Sequence, residues 1–190
     1  MKTLVIVSHP YPEQSTAIMA LQQVAKQQDD VVVRNLESLY GNDMSRFDVA
    51  AEQWASEQAD RIVFLFPIHW FNLTPMLKAY LNTVWSYGWA FGSAWKLKDK
   101  EMQVVVTAGA TAFTYSADGI IKSTMDEVLT PMKASAYYIG MTYNRPLVFF
   151  EAMGKSQSEL GEFQRAFIDC LHSPLASRQT HASTSIYSAS

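Results

Sequence analysis

Apolar residues gather in short blocks along the chain. "TLVIVS" (3–8), "RIVFLF" (61–66) and "MQVVVTA" (102–108) are continuous rather than alternating, and "DVVVRNL" (30–36) is a fourth block. Continuous runs of this length predict strands buried on both faces, as in a parallel sheet under helices. "YNRPLVFFE" (143–151) is a fifth candidate, which Pro146 shortens or places at an edge. Between the blocks the pattern turns helical. "STAIMALQQVAKQ" (15–27) sets Ile18, Leu21, Val24 and Ala25 on one face, and "FDVAAEQWASEQA" (47–59) spaces Val49, Ala50, Trp54 and Ala55 behind an Asp48 N-cap. "TPMLKAYLNTVW" (74–85) opens with Thr74 as N-cap and Pro75 at the first helical position. Its Met76, Leu77, Tyr80, Leu81, Val84 and Trp85 form one stripe. Residues 118–132 and 158–172 supply two more helices.

Alternation of strand and helix over five units predicts a three-layer α/β sandwich. The expected sheet is five-stranded, parallel and of flavodoxin-like order 2-1-3-4-5, with helices on both faces. Ligands of such sheets bind beyond the carboxyl ends of the strands, so the loops after strands 1, 3 and 4 carry the chemistry. Residues 1–172 form one domain in this reading. Residues 173–190, rich in Ser, Thr and Ala without periodicity, read as a tail, mobile unless a partner pins it.

Composition narrows the function classes. A net charge of −3 with no basic run excludes a nucleic-acid footprint. The single cysteine, Cys170, rules out an intrachain disulfide and fits a reducing compartment, where it fills space in the last helix. "MKTLVIVSHP" imitates a signal peptide, but its apolar run ends at Val7. No stretch reaches the ~20 apolar residues of a membrane span. A cytoplasmic protein is expected, with no metal site. The aromatic share of 13% fits either a large core or a pocket for a planar ligand.

The first loop, "SHPYPEQSTA" (8–17), puts Ser15 and Thr16 at a helix start whose amides and positive dipole end suit a phosphate; plain N-capping is the other reading. It has neither a dinucleotide glycine fingerprint nor a Walker lysine. His9 would bond a phosphate or a loop carbonyl. The second loop, Ile68 to Asn72, offers the faces of Trp70 and Phe71 and backbone groups for a ring edge, unless both rings pack under the next helix. The third, "TAGATAFTYSADG" (107–119), lets backbone approach a ligand closely, and Tyr115 adds a phenol donor. Small residues after a strand are also ordinary loop chemistry. No lysine or arginine lies in these loops. Together they outline a ribityl-phosphate isoalloxazine.

"VSHPYPEQSTA", "FPIHWFNLTPMLKAYLNTVWSYGWAFG" and "TAGATAFTYSADGI" resemble the flavodoxin-like NAD(P)H:quinone oxidoreductases. That family includes DT-diaphorase and the bacterial ancillary subunits of glutathione-gated potassium efflux systems. The "GWAFG" stretch is closer to the bacterial group. The resemblance, which runs from Met1 to His172, implies bound FMN (or FAD), NADPH or NADH as hydride donor, and two-electron ping-pong transfer to a quinone-like acceptor. It implies His9, Ser15, Thr16 and Ala17 at the flavin phosphate, and Pro67, Ile68, His69, Trp70 and Phe71 along the isoalloxazine and ribityl chain. Thr107, Ala108, Gly109 and Ala110 would line the pyrimidine side, with Tyr115 as the catalytic donor near the reactive end. His69 would contact flavin through its main chain. Trp89 and Phe91 would roof the substrate, reaching into a second subunit of a homodimer.

Two departures stand out. Ala110 replaces a glycine of the family's Thr-Thr-Gly-Gly loop, so either the backbone there avoids positive φ or the ring sits further out. Ile121 stands where animal members place a histidine, so their tyrosine–histidine relay is missing. Three rival readings follow: other acceptors such as azo dyes or nitroaromatics, a flavodoxin-type electron carrier, or a regulatory subunit bound to a membrane antiporter.

Overall fold

The computed structural model describes residues 1–176. In chain order its elements are β1 (Thr3–Val7), α1 (Thr16–Lys26), β2 (Val31–Asn35), α2 (Leu36–Tyr40), α3 (Val49–Gln58) and β3 (Arg61–Pro67). There follow α4 (Pro75–Val84), β4 (Glu101–Thr107), α5 (Met125–Val128), α6 (Thr130–Tyr138), β5 (Thr142–Tyr143), β6 (Leu147–Phe149) and α7 (Gln157–His172). β1, β3 and β4 are buried over their whole length, as their unbroken apolar runs require. All pairings are parallel in the order β2-β1-β3-β4-β5, with Val5 opposite both Val33 and Val63. The order therefore reverses beside β1, which opens a crevice at the carboxyl ends.

The fifth strand is two pieces on one edge of β4. β5 pairs with Glu101 and Met102, and β6 with Val105 to Thr107. Pro146 has no N–H for the ladder, and the Gln103 side-chain amide fills the gap by donating to Arg145 O at 2.9 Å. The predicted helix over 118–132 also divides. A capping box between Thr124 and Glu127 starts α5, and Pro131 sits in the first turn of α6. Ahead of them, Gly119 closes a turn so tight that a Cβ there would lie 2.1 Å from the Phe113 carbonyl oxygen.

One sheet face packs Val5, Val7, Val63 and Leu65 against Ile18 and Leu21 of α1 and Phe163 and Phe167 of α7. The other face holds the larger core, including the whole stripe predicted for α4. The stripe expected for α3 is displaced. Its buried residues are Glu52, Ala55 and Ser56, and Trp54 is 67% exposed. The cause is polar: Glu52 pairs with Arg34 of β2 at 2.7 Å and accepts from the Tyr40 hydroxyl, which turns the helix away from its apolar spacing. α2, absent from the periodicity, is started by Asn35, whose side chain accepts from Ser38 N.

Beneath the sheet, Arg61 is buried and pairs with Glu101 at 2.7 Å. Its remaining donors reach the carbonyls of Cys170 (2.7 Å) and Ser173 (3.0 Å), beyond the end of α7. Glu101 also accepts from Ala176 N. These contacts pin the first residues of the expected tail; residues 177–190 lie outside the described residues.

Candidate functional site

A cleft of ≈ 690 Å³ opens beyond the carboxyl ends of β1, β3 and β4. It brings together His9, Ser15, Thr16 and Ala17 from the first loop, Pro67, Ile68 and His69 from the second, and Thr107, Ala108 and Gly109 from the third. Residues as far apart in sequence as His9 and Gly109 thus share one wall because parallel strands end at one edge.

At one end of the cleft the Ser15 hydroxyl caps α1 by accepting from Ile18 N at 3.2 Å. The amides of Thr16 and Ala17 then have no acceptor within the helix, and they face the cleft with the positive end of the helix dipole. His9 Nδ1 accepts from Tyr11 N at 3.0 Å, so the neutral ring carries its proton on Nε2 as a donor. Burial, with the neighbouring His69, moves the His9 pKa below its ordinary value, against a smaller opposing pull from Glu13. The two imidazoles stand edge to face, 5.9 Å apart.

Behind this loop lies a polar knot with no exposed hydroxyl. Ser8 Oγ donates to Glu37 Oε1 at 2.7 Å and touches Thr74 Oγ1, which also caps α4. Burial raises the Glu37 pKa, opposed by the Ser8 bond. The knot ties the first loop to the starts of α2 and α4, so the cleft wall is held by three elements at once.

The second loop is a turn of unusual composition. Ile68 N donates to Thr107 O at 2.8 Å, and His69 and Asn72 then exchange backbone bonds of 3.2 and 3.0 Å. Trp70 and Phe71 occupy the two corners with φ of 46° and 59°. Two left-handed corners make a type I′ turn, a geometry that Asn-Gly adopts readily and large rings do not. Left-handed backbone costs roughly 1–2 kcal/mol per L-residue. Packing does not offset it at Trp70, which is 93% exposed; Phe71 is 45% exposed and stands beside Tyr115. Neither ring packs under α4. Strain kept without burial makes this turn a candidate functional position.

The third loop is strapped by the segment after β6. Ala108 N donates to Phe149 O (2.9 Å), Ala152 N to Ala108 O (3.0 Å) and Glu151 N to Ala110 O (3.1 Å). Among the described residues, the amides of Gly109 and Ala110 donate to no protein acceptor. Ala110 stays out of the left-handed region, which decides its departure from glycine in favour of an ordinary backbone. Tyr115 is buried between Phe71 and Phe150, and burial raises its pKa, so the phenol keeps its proton.

Trp70, Phe71, Ala110 and Tyr115 adjoin the cleft without lining it, and two expected residues lie apart from it. Trp89 is buried and donates through Nε1 to Glu57 at 2.7 Å, near the opposite end of the sheet. Phe91 packs with Tyr87 and Tyr138. Ile121 packs against the core. Sequence reasoning missed the wall built by residues 149–160, including Ala152, Met153, Lys155 and Gln157. The signal was available: "SQSE" (156–159) is a capping box directly after the last strand, and it places a second helix start at this edge.

The family described as having a flavodoxin-like fold matches residues 1–169. General stress protein 14 of Bacillus subtilis is 37% identical over 177 residues, which cover 88% of this chain and all of that protein. The potassium-efflux ancillary protein KefF of Citrobacter koseri is 34% identical over 144 residues, 75% of this chain and 80% of KefF. A crystal structure of general stress protein 14 from Treponema denticola in complex with FMN superposes with a TM-score of 0.80 at 37% identity, covering 90% of this chain and 96% of that one. An NADPH-quinone reductase of P. pentosaceus superposes at 0.84 with 25% identity, covering 92% and 99%. The chain belongs to the flavodoxin-like NAD(P)H:quinone oxidoreductase family.

Proposed function

We propose that this enzyme is an FMN-dependent NAD(P)H oxidoreductase that passes two electrons to quinones or related electrophilic acceptors, donor and acceptor using one site in turn. The cleft carries this reading. At one end it offers unpaired amides and a neutral imidazole donor, beside it a strained aromatic turn, and along the far wall open amides. Its ≈ 690 Å³ lies within the range of small-molecule sites and suits a mononucleotide. The FMN complex of a relative 37% identical supports FMN over FAD.

In this reading Thr16 and Ala17 N–H, His9 Nε2–H and the first turn of α1 hold the phosphate. Pro67, Ile68 and His69 border the ring by main chain, while Trp70 and Phe71 cover it. Bound flavin supplies hydride acceptance and two-electron release; the protein supplies position and electrostatics. The amides of residues 108–110 and the Tyr115 hydroxyl are the donors toward negative charge developing on the ring's polar edge. Tyr115 remains a neutral donor because burial holds its proton.

A homodimer is part of the proposal. Phe91 does not line the cleft of its own chain, and its neighbours Tyr87 and Tyr138 are exposed. A second copy would bring Phe91, with Trp89 behind it, over the substrate. The donor is NADPH or NADH. A second reading, regulation of a potassium-efflux antiporter, is favoured by the 34% identity to KefF. Among the described residues no helix is long and apolar enough to cross a membrane.

The test is the visible spectrum of the purified protein, mass identification of the molecule released on denaturation, and anaerobic NADPH and NADH oxidation with a quinone. Yellow protein releasing FMN and turning over steadily is the expected result. Protein that takes up no flavin overturns the reading. Bound flavin without steady turnover, together with co-purification with a membrane antiporter, favours the regulatory one.

A further inference from the structure

Among the described residues, Lys155 is the only lysine or arginine lining the cleft, and none of the three loops supplies it. Its place follows from how two helices pack. α1 and α7 lie side by side on one sheet face; Gln164 Nε2 donates to Ala20 O at 3.4 Å, and the His172 ring meets Gln28 Oε1 at 2.9 Å. Both contacts span 144 residues, so the helices run parallel in a fixed register. Carried back to the helix starts, that register sets Gln157 beside position 13, ahead of the first residue of α1 at Thr16. α7 therefore begins higher than α1. Lys155, two residues before it, stands at the level of the Pro12–Gln14 turn and the open amides of Thr16 and Ala17.

We propose that Lys155 is the cation of this cleft's phosphate subsite, and that it sets selectivity for a phosphorylated flavin over the same ring without its phosphate. The inference rests on the flavin reading above and deepens it. A phosphate monoester brings nearly two negative charges, and His9, with its pKa lowered by burial, is a neutral donor that balances neither. Lys155 Nζ lies 3.0 Å from Glu159 and 3.5 Å from Glu151. Both carboxylates are about half exposed, and surface pairs of this kind contribute little. Glu159 also accepts from Ser156 N and Oγ, each at 2.9 Å, so it keeps partners if the lysine turns away. Turning Nζ toward a phosphate strands no buried charge, and it adds a charge-assisted bond at a helix start already suited to anions.

The same chemistry has a second source, the phosphates of the nicotinamide donor, and the experiment separates the two. The full chain, stripped of flavin, is titrated with FMN and with riboflavin as wild type, Lys155→Met and Lys155→Arg, and the KM for NADPH and NADH is measured on FMN-loaded protein. The expected result is FMN affinity about tenfold weaker in Lys155→Met, riboflavin affinity unchanged, and FMN affinity largely restored in Lys155→Arg. An unchanged ratio of FMN to riboflavin affinity overturns the proposal, as does a parallel loss of both. So does a rise in KM for NADPH with FMN binding intact, which assigns Lys155 to the donor. Wild-type protein that takes up neither flavin removes the flavin reading itself, and with it this inference.

Discussion

Phe71, at the second corner of a left-handed turn, meets Tyr115 edge to face with ring centroids 6.1 Å apart. That contact joins the aromatic turn after β3 to the small-residue loop after β4. Two loops that separately admit ordinary structural explanations thereby form one continuous surface. The contact also separates the two corner residues: Phe71 has a packing partner, while Trp70 stands almost wholly in solvent.

Trp70→Asn is therefore expected to stabilise the free protein. Asparagine tolerates the left-handed corner, and little burial is lost, so a gain of about 1 kcal/mol is expected in urea unfolding. FMN affinity is expected to fall roughly fivefold to tenfold through the lost aromatic cover. Equal or tighter FMN binding in this variant would remove Trp70 from the site.

Tyr115→Phe isolates one hydroxyl. The ring keeps its packing against Phe71 and Phe150, so FMN affinity should change little. Loss of a donor to developing charge typically lowers a rate ~10²–10³-fold, and reduction of the bound flavin by NADPH in anaerobic stopped flow should slow by that order. The raised Tyr115 pKa adds that its ionisation should not reduce the rate below pH ~10. An unchanged rate assigns the donor role to the amides of residues 108–110 alone.

His9 makes stability depend on pH in a defined direction. Its folded pKa is lowered, while an unfolded imidazole takes up its proton near pH ~6.5. Between those values the unfolded chain binds more protons, so this contribution is fully present above pH ~6.5 and is lost as pH falls toward the folded pKa. Glu37 acts the other way: its raised pKa penalises the fold as pH rises above ~4.5. Comparing wild type with His9→Gln cancels the Glu37 effect. The wild type should lose more stability than the variant between pH 7.5 and 5.5 in urea titrations; equal losses would contradict the assignment.

What the sequence made legible follows from range. Apolar runs report strands buried on both faces, and Thr74-Pro75 reports a helix start, because each acts through its immediate neighbours. The three loops were legible because a parallel sheet gathers its carboxyl ends. Trp54 misled because a buried Glu52, held by Arg34 of β2, outweighs apolar spacing. Lys155 was overlooked because the capping box after it reports only that a helix starts there, while its height beside the first loop depends on the register between α1 and α7. The strain at Trp70 was equally hidden, since a type I′ turn is ordinarily signalled by Asn-Gly.

The far end of the sheet offers a test of stability independent of the cleft. Arg61 and Glu101 lie opposite each other in the β3–β4 register, and both are buried. Arg61 also bonds carbonyls where α7 ends, so the pair closes the last helix onto the sheet. Arg61→Met removes one partner and leaves Glu101 buried with only Asn144 and Ala176 as donors. Breaking a buried pair in this way costs about 3–5 kcal/mol, and a loss of that size is expected by urea unfolding. Adding Glu101→Leu removes the stranded charge and should recover part of the loss, though not all, because the carbonyls of Leu171 and Ser173 still lack the Arg61 donor. A double variant no more stable than Arg61→Met would mean that the cost lies in the unpaired carbonyls rather than in the stranded carboxylate.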